Sequence, residues 1–416
     1  MSSVSNAVRW RIFVPFALGY FASYLYRVIN AVLAPDLAAD IGLGPSDIGL
    51  LTSVYFITFG ACQLPLGVLL DRFGPRRIES SLLVVAAAGA WIFAHATTLF
   101  ELVLGRGLIG VGVSACLMAA FKAFVLWFPK QLLPRINGFQ MASGGLGALC
   151  ASTPVQAALT VTDWRGVFSL LCLLTLLAAA GIFFLVPERK DQARPQPFAV
   201  QIKGINAILT SPEFWRVAPW ATLSQATFLA IHGLWAGPWL RDVVGLGREQ
   251  TAGFLLLVAV AMIIGYIGLG AVAERLSRRG IPPMAVAGCG MLLFMLQLLF
   301  FILEIKALAL PTYVLFGFFG TSGILVYAVL SQQFPAELAG RVNTTLNLLV
   351  FVAAFAVQWG IGAVINLWPA TASGGYAPAG YRSAFAALLV LQFLAAVWYG
   401  VSVRFLGRKP VQPSIS

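Results

Sequence analysis

Gly67-Val68-Leu69-Leu70-Asp71-Arg72-Phe73-Gly74-Pro75-Arg76-Arg77 closes the second long apolar stretch of this 416-residue chain. Further on, Gly270, Glu274 and Arg275 stand where Gly67, Asp71 and Arg72 stood, a displacement of 203 positions. The same displacement carries Ala34-Pro35-Asp36-Leu37 and Ile41-Gly42-Leu43-Gly44 onto Gly237-Pro238-Trp239-Leu240 and Val244-Gly245-Leu246-Gly247. Later pairs drift by a few positions. Phe128-Pro129 with Arg135 and Asn137 answers to Phe334-Pro335 with Arg341 and Asn343, and Trp164-Arg165 with Phe168 answers to Tyr381-Arg382 with Phe385. An internal repeat fixes the architecture before any single motif is read, and here the repeated unit is half the chain.

The unit lies in a membrane. Hydrophobic residues make up 60% of the chain and charged residues 10%, too little charge to clothe a soluble protein of this size. About twelve stretches approach the ~20 apolar residues that cross a bilayer: 12–33, 47–70, 78–96, 100–127, 137–160, 165–187, 215–240, 250–273, 283–304, 309–333, 342–368 and 381–404. In lipid the backbone must satisfy itself as helices or a closed barrel, and these stretches are too long and too uniformly apolar for barrel strands. The expected fold is an all-α polytopic membrane protein of two pseudo-symmetric six-helix bundles, residues 1–187 and 215–416, joined by a linker at 188–214. Within the linker Phe198, Ile202, Ile205 and Leu209 keep helical spacing, which reads either as a surface amphipathic helix or as a plain connection. Glycines at 105, 107, 110, 112, 144, 145 and 147 let helices approach closely in lipid.

The net charge of +12 is topology rather than a nucleic-acid footprint. With the N-terminus placed in the cytoplasm, most bases (Arg72, Arg76, Arg77, Lys190, Arg278 and Arg279 among them) fall on the cytoplasmic side, and few, such as Arg165, Arg241, Arg248 and Arg382, fall outside. That is the positive-inside asymmetry, and it predicts a multi-pass protein of the plasma (cell inner) membrane with both termini cytoplasmic. Five scattered cysteines show no metal spacing. The first apolar segment is too long for a signal peptide and lacks a cleavage site. Neither cofactor nor metal is expected, and the chain reads as a monomer whose partners are the bilayer and a small molecule.

The stretch from Gly67 to Arg77 resembles the cytoplasmic loop of the major facilitator superfamily, G-x-x-x-D-R-x-G-R-R, with Pro75 inserted before the basic pair. The copy from Gly270 to Arg279 lacks the second glycine. Leu102, Arg106 and Gly110 resemble the family's L-x-x-x-R-x-x-x-G. The resemblance implies two bundles about a pseudo-two-fold along the membrane normal and alternating access. It implies gating roles for Asp71, Arg72, Arg76, Arg77, Glu274 and Arg275, which also read as a plain topology-setting basic loop. For Arg106 it implies coupling or helix-packing hydrogen bonds. Tyr24-x-x-Arg27 followed by Pro35 looks like the first helix of members that carry organic anions or organophosphates.

Ionisable groups inside spanning segments default to functional candidates. Arg27 lies roughly 6 Å beyond the midpoint of its segment. Tyr20, Ser23, Tyr24, Arg27 and Asn30 form one helical stripe, and a guanidinium there suits a carboxylate or phosphate. A structural arginine tied to backbone carbonyls is the alternative. Lys122 either adds a second positive charge to a cavity or snorkels to the cytoplasm. His232 shares a face with Gln225, Phe228, Trp235 and Trp239. It either couples transport to protons or bonds a neighbouring helix. Gln140, Gln225, Trp235, Tyr327 and Asn347 complete the candidate binding set. No Asp or Glu lies deep in any segment, so the buried field is positive and an anion is the logical cargo.

The sequence therefore reads as a secondary transporter that takes up a small anionic organic solute, with protons or a counter-transported anion as coupling partners. An exporter of drugs or siderophores is weakened because segment five lacks G-P-x-x-G-G. A transporter-like receptor is weakened because no signalling domain is present. No nucleophile–base pair, metal spacing or phosphate loop points to an enzyme.

Overall fold

Each apolar stretch reaches the structure as helix, since lipid leaves the backbone no other partner than itself. The computed structural model describes residues 6–128, 133–188, 198–334, 338–371 and 374–405. The first half runs α1 (Asn6–Val28), α2 (Asn30–Ile41), α3 (Pro45–Phe73), α4 (Pro75–Ala94), α5 (Leu99–Val113), α6 (Cys116–Trp127), α7 (Leu133–Cys150), α8 (Thr153–Ala158) and α9 (Trp164–Leu185). A connecting helix, α10 (Phe198–Leu209), precedes the second half. That half runs α11 (Pro212–Ala230), α12 (Ala236–Trp239), α13 (Arg248–Ser277), α14 (Pro283–Ile302), α15 (Ala309–Gly320), α16 (Ile324–Ser331), α17 (Ala339–Ile365) and α18 (Pro378–Phe405).

Among the described residues, eight helices are long and apolar enough to cross a bilayer, or nine with the pair α1–α2, which bends by 52°. The other three expected crossings correspond to α3, α7–α8 and the α11–α12 stretch, where π turns at Ile231–Trp235 and Leu240–Val244 flank Pro238. A proline inside a helix removes a donor and breaks the regular hydrogen-bond ladder. Leu170, Leu173, Leu177 and Phe184 stand exposed on α9, as side chains facing hydrocarbon should.

The glycines do pack backbone against backbone. A Cβ on Gly105 would lie 2.7 Å from the Gly89 carbonyl, and one on Gly89 would lie 2.6 Å from the Gly105 carbonyl. One on Gly112 would overlap the Ala86 amide, and one on Gly147 the Phe21 carbonyl. These contacts fix α4 on α5 and α7 on α1.

In each half a spanning helix breaks in mid-course. α5 gives way to α6 at Ser114, and Gln63 of α3 donates to the released Ser114 carbonyl at 3.2 Å. α15 gives way to α16 at Thr321, and Gln225 of α11 donates to the Gly320 carbonyl at 3.3 Å. Irregular backbone at membrane depth is tolerated where protein satisfies it or a cavity adjoins it.

The repeated loop also explains its own missing glycine. α3 ends at Gly74, whose φ of 80° only glycine adopts easily. In the second copy the helix runs on to Ser277, and the turn falls at Gly280, φ 83°. The glycine has moved with the turn. Arg76 donates to the Phe183 carbonyl at 2.7 Å and Arg77 pairs with Glu188 at 2.7 Å. Glu274 pairs with Arg278 on its own helix, while Arg72 and Arg275 are exposed. None of these bonds crosses between the halves. The Asp71 side chain lies outside the described ones, as do linker residues 189–197. α10 is a helix, and its Ile208 is buried against the second half.

At the end of the molecule remote from the chain termini, Trp164 and Arg165 both donate to Asp40, and Tyr381 donates to Asp242 at 2.7 Å. The repeated aromatic residue thus ties each half to an acid just beyond its own first crossing, while Arg165 shares Asp40 and Arg382 pairs instead with Glu304 at 2.9 Å. Hydrogen bonding from Arg165 holds the Asp40 carboxyl below the ordinary carboxylate range. A lowered folded value adds stability that is complete above the unfolded value of about 4 and is lost as pH falls through the folded value. Asp40→Asn is therefore expected to lower the melting temperature by a small constant amount between about pH 8 and pH 5, the difference closing below about pH 4. Thermal melts of the two proteins across pH check it.

Candidate functional site

Between the halves lies a cavity of about 300 Å³. It extends from Arg27, on the last turn of α1, to Asn343, on the first turns of α17. Beyond Arg27 the halves close on each other. Pro35 has no N–H to give to the Ala31 carbonyl four residues before it, and Gly237 packs against that carbonyl so tightly that a Cβ would overlap it. A Cβ on Gly362 would lie 2.5 Å from the Pro45 carbonyl. Asp36 and Arg248 pair across the two halves at 2.5 Å.

Arg27 is 8% exposed, and its Nε has no hydrogen-bond partner. Its guanidinium carbon sits 4.5 Å from the Tyr24 ring centre, 5.3 Å from Phe59, 5.5 Å from Phe351 and 6.0 Å from Tyr55. Among the described residues it has no carboxylate partner. Aromatic faces offset part of the desolvation of a cation, and Tyr55 lies within hydrogen-bonding reach of the guanidinium, but no acid neutralises it and Nε stays unpaired.

Of the ten residues expected to bind cargo, Arg27, Tyr24, Gln225, Tyr327 and Asn347 line this cavity. Five do not. Asn30 donates to Thr52 at 3.0 Å, Gln140 to the Phe16 carbonyl at 3.0 Å and Trp235 to the Gln358 carbonyl at 3.0 Å. These three tie helices together. His232 is stacked parallel on Phe228, ring centres 5.5 Å apart, with neither ring nitrogen bonded. Lys122 is half-buried on α6, away from the lining. Arg106 is fully buried with its guanidinium carbon 5.1 Å from the Tyr55 ring centre, and none of its three guanidinium nitrogens makes the helix-packing hydrogen bonds expected of it.

One expectation is overturned. Glu79 is 0% exposed and neither carboxylate oxygen has a hydrogen-bond partner, so an acid does lie buried in the first half. It sits only one turn into α4, where the sequence reads as a segment edge. Its burial comes from α1: Gly19 leaves the room, and a Cβ there would come 2.7 Å from Oε1.

The sequence missed Phe59 and Phe351, which meet across the halves with ring centres 4.4 Å apart and wall the cavity beside Arg27. Nothing in their spacing separates them from phenylalanines that face lipid.

Residues 16–358 match the sequence model of the Major Facilitator Superfamily. The chain is 24% identical to a probable sulfoacetate transporter of Cupriavidus necator over 277 residues, 63% of this chain and 64% of that protein. It is 26% identical to a probable L-galactonate transporter of Escherichia coli over 282 residues, 63% of this chain and 60% of that one. The chain thus spans just under two thirds of the length of these relatives. In fold it is similar to a bacterial homologue of the human lysosomal transporter Spinster, with a TM-score of 0.76 and 17% identity over 97% of this chain and 98% of that one.

Proposed function

We propose that this chain, which belongs to the Major Facilitator Superfamily, is a secondary transporter that takes up a small organic anion, with both termini in the cytoplasm of an inner-membrane-bounded cell. The observation that carries the reading is Arg27: a buried guanidinium with no acidic partner, held by aromatic rings at the wall of a cavity between two bundles. A charge placed so is costly unless a counter-charge arrives. An anionic cargo is that counter-charge. The names of the sulfoacetate and L-galactonate relatives support the class.

Alternating access follows from the placement. Contacts between the halves close the cavity on the far side of Arg27, and rocking about the site would part them. Uptake of labelled organic anions into proteoliposomes, under imposed pH and voltage gradients, tests the reading. Absence of uptake for any anion would remove it.

The Asp36–Arg248 pair is partly exposed on both sides, so it adds about 1 kcal/mol or less to the closed far side. Asp36→Asn is expected to shift the balance of the two states by about fivefold at most. Side-specific labelling of a cysteine introduced beside the cavity measures that shift.

A further inference from the structure

We infer that the cargo is an amphiphilic monocarboxylate, its head on Arg27 and its hydrocarbon or aromatic body in an apolar chamber between α7 and α13. This rests on the anion reading above and narrows it. The chamber holds about 280 Å³ and is lined by Met141, Ala142, Gly145, Met262, Ile263 and Ile267, with Ala142 and Ile267 exposed on its outer, hydrocarbon-facing side. It adjoins the central cavity: Tyr24, Met141, Tyr266 and Ile324 line both. Tyr24 is the joint, since its ring stands 4.5 Å from the Arg27 guanidinium on one side and walls the chamber on the other.

Of the buried polar atoms at the central cavity, only Arg27 Nε and Asn343 Oδ1 are without a partner among the described residues. The amides of Gln63 and Gln225 serve the Ser114 and Gly320 carbonyls. Tyr327 donates to Asn347 at 3.1 Å, and Tyr20 points its hydroxyl at the Met141 sulfur at 3.6 Å. Little is left to pair with a row of cargo hydroxyls, and an unpaired buried hydroxyl lowers affinity. The remaining walls, Phe59, Leu117, Met118, Phe121, Leu229 and Phe351, reward apolar surface. The site that Arg27 heads is therefore poor for a polyhydroxylated acid and good for one with an apolar body.

Binding of labelled butanoate, octanoate, dodecanoate, sulfoacetate and L-galactonate to the full chain in lipid nanodiscs tests the inference. Arg27→Gln discs serve as the background for partition into lipid. Affinity is expected to rise about fourfold per methylene buried, about 250-fold from butanoate to octanoate, with L-galactonate and sulfoacetate well below octanoate. Gly145→Leu, whose side chain enters the chamber toward Ile263, is expected to bring the octanoate-to-butanoate ratio down toward one. Ile263→Ala enlarges the chamber and is expected to raise the dodecanoate-to-octanoate ratio, which keeps the test alive if Gly145→Leu fails to fold. A flat chain-length series with tight sulfoacetate or L-galactonate overturns this inference alone. No difference between parent and Arg27→Gln discs for any of the five acids overturns it together with the reading beneath it.

Discussion

Arg27→Gln is expected to cut anion transport by at least about thirtyfold while the protein still folds. Truncating one partner of a buried charge pair costs 2–5 kcal/mol, which is roughly 30-fold to several thousandfold in affinity. The glutamine keeps much of the volume and one amide donor group but removes the charge that compensates the cargo. Folding should survive because Arg27 holds no ion pair of its own among the described residues; it touches rings, not acids. Arg27→Lys is expected to recover only part of the loss. An ammonium restores the charge but not the planar fork that meets a carboxylate with two parallel bonds. Initial-rate uptake into proteoliposomes, with thermal melts alongside, decides the matter. Unchanged uptake in Arg27→Gln at an unchanged melting temperature would leave Arg27 a structural residue and the anion reading without its anchor.

Gly237→Leu should slow transport without unfolding the protein, and the same change at Gly105 should do the reverse. Both glycines lie against backbone that a side chain would overlap, the Ala31 carbonyl in one case and the Gly89 carbonyl in the other. The difference is where the strain can go. Gly105 and Gly89 belong to α5 and α4 of one bundle, so a leucine there must force apart two helices that stay together throughout. Such overpacking costs 1–3 kcal/mol or more, and against backbone it has no soft neighbour to yield. Gly237 meets Ala31 across the two bundles, so parting them at the far side relieves the clash. The leucine thus biases the protein toward the state open at that end. The expected result is transport reduced by about five- to 150-fold, the shift that a clash of about 1–3 kcal/mol imposes on a two-state balance. Retained monodispersity would accompany it, with a cavity cysteine labelled mainly from the far side. For Gly105→Leu, loss of folded protein is expected in the same preparation. Normal transport by Gly237→Leu would mean that the Ala31 contact is not part of the moving seal.

Much of the fold could be read from residue order. Twelve apolar stretches had to be helices because hydrocarbon offers no other hydrogen-bond partner. The displacement of 203 positions set the two halves, and the glycines marked the close crossings. Half of the candidate site could be read as well. Arg27 and Tyr24 stood out because charge and phenol in a spanning segment are costly or placed for a purpose. Asn30 lies on the same stripe yet bonds Thr52 of α3, because the chain breaks and bends between Val28 and Asn30 and turns that residue into the bundle. Gln140 and Trp235 similarly spend their donors on carbonyls of other helices. Glu79 looked like a boundary residue and is wholly buried.

The sequence by itself determined that this protein is helical, membrane-spanning and doubled. Those properties follow from composition and spacing along one chain in a solvent that cannot bond the backbone. The tertiary structure decided which polar groups face the cavity and which hold helices together. It also decided that Phe59 and Phe351 meet there, and that an apolar chamber opens beside Tyr24. A polar or aromatic side chain in a spanning helix has the same local signature whether its partner is cargo, carbonyl or ring. Only the arrangement of the other helices around it supplies the partner.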